Sequence, residues 1–139
     1  MFENYAYNES PRHSSLEEID VIPNRRKKVM IIDDDQDFRI DLCDLLVNEG
    51  YTVMTAKDGE MALNNLIHQQ ILPDLILVDL IMPIKSGTAF RREQLQLNII
   101  NKIPVIFITG FGVVEGENCL LKPFNEKDLL DLVKFYLTS

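Results

Sequence analysis

The sequence predicts an α/β fold: a doubly wound, five-stranded parallel sheet with helices on both faces. Three observations carry this. Short, continuous apolar runs rich in β-branched residues recur from Val29 onward, the pattern of strands covered on both faces. Segments with helical spacing lie between these runs, and a strand–helix alternation implies right-handed crossovers. The chain has 139 residues, 46% of them hydrophobic, which is enough for one packed core and too little for two ordinary ones.

Residues 1–27 are polar, rich in Asn, Ser and Glu, and lack any sustained period, so they are expected to form a tail or linker ahead of a folded unit over 28–139. "VMII" (29–32) is the first strand. Asp35 then stands directly before an apolar-periodic run, the usual place of an N-cap, and Phe38, Leu42, Leu45 and Leu46 recur on one helical face until Glu49-Gly50 stops it. "YTVMTA" (51–56) is the second strand, followed by "GEMALNNLIHQQ", in which Met61, Ala62, Leu66 and Ile67 are expected to face inward. "LILVD" (75–79) is the third. Met82-Pro83 and Gly87 end it and start the next helix. "PVIFIT" (104–109) and "CLL" (119–121) are the fourth and fifth strands, and "NEKDLLDLVKFYL" closes the chain as a helix packing through Leu129, Leu130, Val133 and Leu137.

The net charge is −8, and the acidic excess lies wholly between residues 29 and 139. Such a body argues against direct binding to nucleic acid or an anionic membrane, which needs a basic footprint. The basic cluster "NRRKK" (24–28) reads as a solvated linker. Cys43 and Cys119 have neither C-x-x-C spacing nor paired histidines, so both are expected reduced and buried. The start "MFENYAYNES" lacks the features of a signal peptide and no apolar stretch is long enough to span a bilayer, so a cytoplasmic location is expected. His13 and His68 have no partner at ligand spacing and receive no role.

The polar residues of interest all fall at carboxyl ends of strands, where chemistry sits in this architecture. Asp33 and Asp34 follow the first strand, Asp79 ends the third, Thr109 ends the fourth, and Lys122 follows the fifth. Three converging carboxylates repel one another unless a cation compensates. Mg²⁺ suits such a site, because it takes one or two carboxylates and completes its shell with waters and phosphate oxygens. The pattern points to phosphoryl chemistry.

"VMIIDDDQDF", "LILVDLIMPIKSG", "VIFITG" and "LLKPF" together resemble the receiver domain of two-component response regulators, over residues 28 to about 137. The resemblance implies a flavodoxin-like sheet in the order 2-1-3-4-5. It implies that Asp79 accepts a phosphoryl group from a sensor histidine kinase, a histidine phosphotransfer protein or a small donor such as acetyl phosphate. Asp33 and Asp34, with Asp79 and the backbone carbonyl of Ile81, would hold Mg²⁺. Thr109 and Lys122 would contact phosphoryl oxygens, and Pro123 would follow a cis peptide bond. The implied protein is a switch or phosphorelay module that catalyses its own phosphorylation, not a turnover enzyme. No effector domain is expected after "FYLTS".

The sequence departs from the family in two places. Only residues 110–118, "GFGVVEGEN", separate the last two strands, whereas a parallel crossover usually takes about a dozen residues or more, so the fourth helix is expected truncated or missing. Family members carry an aromatic residue three positions before the lysine, and Cys119 stands there. An alternative function follows: a phosphorylation-independent interaction module on a receiver fold. A Mg²⁺-dependent phosphatase with an Asp nucleophile is disfavoured, because Ile81 occupies the position of its general acid. Ile81 and Phe111 are apolar where receivers tune water access, so a long-lived acyl phosphate is expected.

Overall fold

The structure is a computed structural model and describes residues 25–69 and 71–138. Of the expected tail over 1–27, residues 1–24 lie outside the described residues. The elements run β1 (Lys28–Ile32), α1 (Gln36–Asn48), β2 (Thr52–Ala56), α2 (Gly59–His68), β3 (Leu75–Asp79), α3 (Gly87–Leu95), β4 (Val105–Thr109), β5 (Asn118–Leu121) and α4 (Glu126–Leu137). All four strand pairings are parallel, in the order β2-β1-β3-β4-β5.

Successive strand residues point to opposite faces, and this alternation divides the core in two. Met30, Ile32, Ile76, Val78, Val105 and Phe107 face α2 and α3, packing with Ala62, Leu63, Leu66 and Phe90. Val29, Ile31, Leu75, Leu77, Ile106 and Ile108 face α1 and α4, packing with Leu42, Leu46, Leu129, Val133 and Leu137. Each helix begins at a side chain that accepts from a first-turn N–H: Asp35, Asp58, Ser86 and Asn125. The Asp35 cap is the one the sequence predicts.

Two sequence expectations need correction. The buried stripe of α2 is Ala62, Leu63 and Leu66, while Met61 and Ile67 are 38% and 47% exposed. At about 100° per residue those two lie on the flanks of the stripe. Cys43 and Cys119 are free, as expected, but only half-buried.

No helix joins β4 to β5; residues 110–117 form a loop instead. Gly112 and Gly116 take φ of 98° and 81°, which lets the loop turn back on itself. Three contacts pin it to the body. Val114 packs against the α2–α3 side of the core, its N–H donates to Cys119 Sγ at 3.2 Å, and Glu117 pairs with Arg91 of α3 at 3.1 Å. The Cys119 side chain is therefore engaged by the loop while packing against the same side of the core.

Candidate functional site

The register of the sheet builds the site. β1 and β3 pair Ile32 with Val78, so Asp33 and Asp79 emerge side by side at the carboxyl edge. Carboxylate oxygens of Asp33, Asp34 and Asp79 lie within 4.8 Å of one another. Asp33 is 2% exposed. Its Oδ1 accepts from the Asp35 N–H at 2.9 Å, while its Oδ2 is buried without a hydrogen-bond partner.

Lys122 lies beside two of the three carboxylates. The backbone N–H of Lys122 donates to the Thr109 carbonyl at 2.8 Å, which holds the two residues together directly past the end of the β4–β5 pair. The Lys122–Pro123 peptide bond is cis, as the resemblance implies. The Lys122 ammonium lies 3.6 Å from Asp33 Oδ2 and 3.9 Å from Asp79 Oδ1. It also sits 4.2 Å above the centre of the Phe38 ring, a cation–π contact that steadies the lysine stem.

Burial, then the neighbouring Asp33 charge, pushes the Asp79 carboxyl up to about 6, against the pull of Lys122. Burial likewise raises Asp33, opposed by the Asp35 N–H and Lys122. One ammonium cannot balance three carboxylates. The donor set fits a hard divalent cation: all oxygen, clustered, with one buried oxygen unsatisfied by hydrogen bonds.

Thr109 is fully buried. The β3–β4 register pairs Asp79 with Ile108, so Thr109 stands one step further along the neighbouring strand. Its Oγ1 accepts from the Phe111 N–H at 2.9 Å, which ties the hydroxyl to the start of the short loop. Ile81 and Phe111, two residues beyond Asp79 and Thr109, are 55% and 75% exposed and present apolar surface at the same edge.

The sequence identified the charged residues but not their supports. The Arg39 guanidinium donates to the Asp33 carbonyl at 2.7 Å. Gly87 donates its N–H to the Leu80 carbonyl at 2.9 Å, and a Cβ there would come within 2.3 Å of the Asp79 carbonyl oxygen. Gly87 is thus more than a helix start: its missing side chain lets α3 press against the backbone of Asp79. The glycine in the D-x-x-M-P-x-x-x-G pattern was the available signal for this contact. Phe38 and Arg39 gave none, since both read simply as helix residues.

The sequence model of the response regulator receiver domain matches residues 29–134. The transcriptional regulatory protein CpxR of Escherichia coli K12 is 33% identical over 119 residues, covering 79% of this chain and 49% of CpxR. The chain thus spans about half the length of the curated relatives it matches. The chemotaxis response regulator CheY4 of Vibrio cholerae superposes with a TM-score of 0.74 at 28% identity, covering 81% of this chain and 100% of CheY4. The receiver domain of the sensor histidine kinase PA1611 of Pseudomonas aeruginosa, solved with a magnesium ion in its active-site cleft, has a TM-score of 0.74 at 22% identity. It covers 83% of this chain and 100% of that domain. At that identity the likeness concerns the fold alone.

Proposed function

The chain belongs to the response regulator receiver domain family of two-component signalling, and from that membership we propose that Asp79 accepts a phosphoryl group in a Mg²⁺-dependent transfer. An Asp79 oxygen attacks the phosphorus of a phosphohistidine on a sensor kinase or phosphotransfer protein. The P–N bond breaks, the imidazole leaves with the electron pair, and an aspartyl phosphate forms. The observation that carries this reading is the convergence of Asp33, Asp34, Asp79 and Lys122 at one edge of the sheet.

Each residue has a separate task. Asp33 and Asp34, with Asp79 and the carbonyl of Ile81, would hold Mg²⁺, which when bound offsets charge on the transferring group. Lys122 supplies a positive charge beside Asp79. Thr109 donates its hydroxyl proton to a phosphoryl oxygen while its oxygen keeps the Phe111 N–H. Asp79, near 6, is mostly ionised at neutral pH and ready as a nucleophile. The protein acts as a switch or relay and returns slowly to the unmodified state.

The phosphorylation-independent module is the second reading, and Cys119 favours it. With its thiol engaged by Val114, β5 has no aromatic ring at that position to relay a movement of Thr109. Intact mass after treatment with acetyl phosphate and Mg²⁺ separates the two. One added phosphoryl group, absent in Asp79→Asn and without Mg²⁺, is the expected result. No addition from acetyl phosphate, nor from a phosphorylated histidine phosphotransfer domain, would overturn the leading reading in favour of the second.

A further inference from the structure

The Lys122 ammonium stands 3.6 Å from an Asp33 oxygen and 3.9 Å from an Asp79 oxygen. A charge-assisted hydrogen bond is about 2.7–2.9 Å long, so neither carboxylate fixes the ammonium in that way. A lysine stem is long and rotates freely, and without such a bond it needs another partner to keep one position. The Phe38 ring is that partner, with the ammonium 4.2 Å from its centre. An aromatic face attracts a cation without carrying a net charge of its own. Asp33 and Asp79 belong to the cluster that suits a divalent cation. The ring is the partner of Lys122 that no such cation would take.

Phe38 is itself held on several sides. Its N–H donates to Asp35 Oδ1 at 3.2 Å, and the Asp35 N–H in turn donates to Asp33 Oδ1 at 2.9 Å. Its ring meets the Phe124 ring edge to face, with centroids 6.3 Å apart and planes at 78°. Both rings pack against the α1–α4 side of the core. Residues 122 and 124 therefore grip one ring together, and the first turn of α1 ties the carboxylate part of the site to its lysine.

We propose that Phe38 is a positioning residue for phosphoryl transfer, whose ring face keeps the Lys122 ammonium where a phosphoryl oxygen on Asp79 will meet it. The proposal rests on Asp79 being the phosphoryl acceptor. An aliphatic side chain of similar size would fill the space of the ring and leave the ammonium free to swing.

The test compares the rate at which acetyl phosphate and Mg²⁺ label Asp79, followed by intact mass, in Phe38→Leu and Phe38→Tyr. Leucine should slow labelling about fivefold, the scale of a partly exposed cation–π contact. Tyrosine keeps the ring and should restore the rate to within about twofold. Added to Lys122→Ala, Phe38→Leu should slow the residual labelling no further, because the two residues act as a unit. Without metal or donor, proton NMR should show the Lys122 ε-methylene signals displaced upfield by the ring, and the displacement should vanish in Phe38→Leu but persist in Phe38→Tyr. An unchanged rate in Phe38→Leu, or equal slowing with and without Lys122, would overturn the proposal while leaving Asp79 as the acceptor. Wild-type protein that takes no phosphoryl group from acetyl phosphate or from a phosphorylated histidine phosphotransfer domain would remove that acceptor reading, and this proposal with it.

Discussion

Asp33 and Lys122 face each other at 3.6 Å, yet the Asp33 oxygen nearest the lysine is buried and accepts no hydrogen bond. A carboxylate in that state is under-compensated. Lys122 stands between Asp33 and Asp79 at similar distances, so its charge is divided. The residual demand falls on a divalent cation, and the effects of supplying or withholding it are measurable.

Asp33→Asn removes one charge from the cluster while preserving its shape. Mg²⁺ affinity, measured by titration calorimetry, should fall at least about tenfold, because the ion relies on very few charged ligands. Fold stability in the absence of metal should not fall, since an uncompensated buried charge is lost with the substitution.

Stability without metal should depend on pH in a defined direction. The Asp79 carboxyl is raised from 3.8 to about 6, so the folded chain holds that proton more tightly than the unfolded chain does. Its contribution is present at acid pH and lost as pH rises through this interval. Thermal midpoints in chelator should therefore increase from pH 7 toward pH 5. Saturating Mg²⁺ should flatten or reverse that slope, and an unchanged slope would show that Asp79 is not among the ligands.

Gly87→Ala places a methyl group where the Asp79 carbonyl oxygen already stands. Either α3 or the end of β3 must move. The expected loss is about 3 kcal/mol in urea unfolding, together with slower labelling of Asp79 by acetyl phosphate.

Ile84 is a β-branched residue at φ 67° with 80% of its surface exposed. The conformation strains its backbone, and little packing compensates. Ile84→Gly should stabilise the protein by about 1 kcal/mol in the same unfolding experiment. A loss of stability would mean that the side chain makes a contact its exposure conceals.

Ile81→Asn would give the carboxyl edge a polar side chain capable of orienting water beside the aspartyl phosphate. The phosphate half-life, followed by intact mass, should shorten about tenfold, the modest end of what positioning a reactant yields. An unchanged half-life would assign water control to another residue, with exposed Phe111 the first to examine.

The sheet, its parallel sense and the charged residues at its edge were legible because they depend on local patterns: β-branched runs and the residues that end them. The short crossover was legible from length alone, nine residues where a helix would need more. Other features arise only once distant segments meet. The α2 stripe shifted from Met61 and Ile67 to Leu63 because the neighbouring α3 and strands choose which flank is covered. Phe38 beneath Lys122 joins positions 84 residues apart in sequence, and no periodicity in α1 announces that contact. The Arg91–Glu117 pair, likewise, exists because the loop replaces a helix and comes down onto α3.

That loop also alters the order in which strand pairing becomes affordable during folding. Ile106 and Asn118 pair across 12 residues, against 24 for Lys28 and Thr52, the next shortest first contact in the sheet. Halving the closed loop lowers its closure cost by about 0.6 kcal/mol. β5 is the shortest strand, four residues on an open edge with little of its surface buried. Losing the crossover helix therefore gives the weakest strand the least entropic barrier to finding its neighbour.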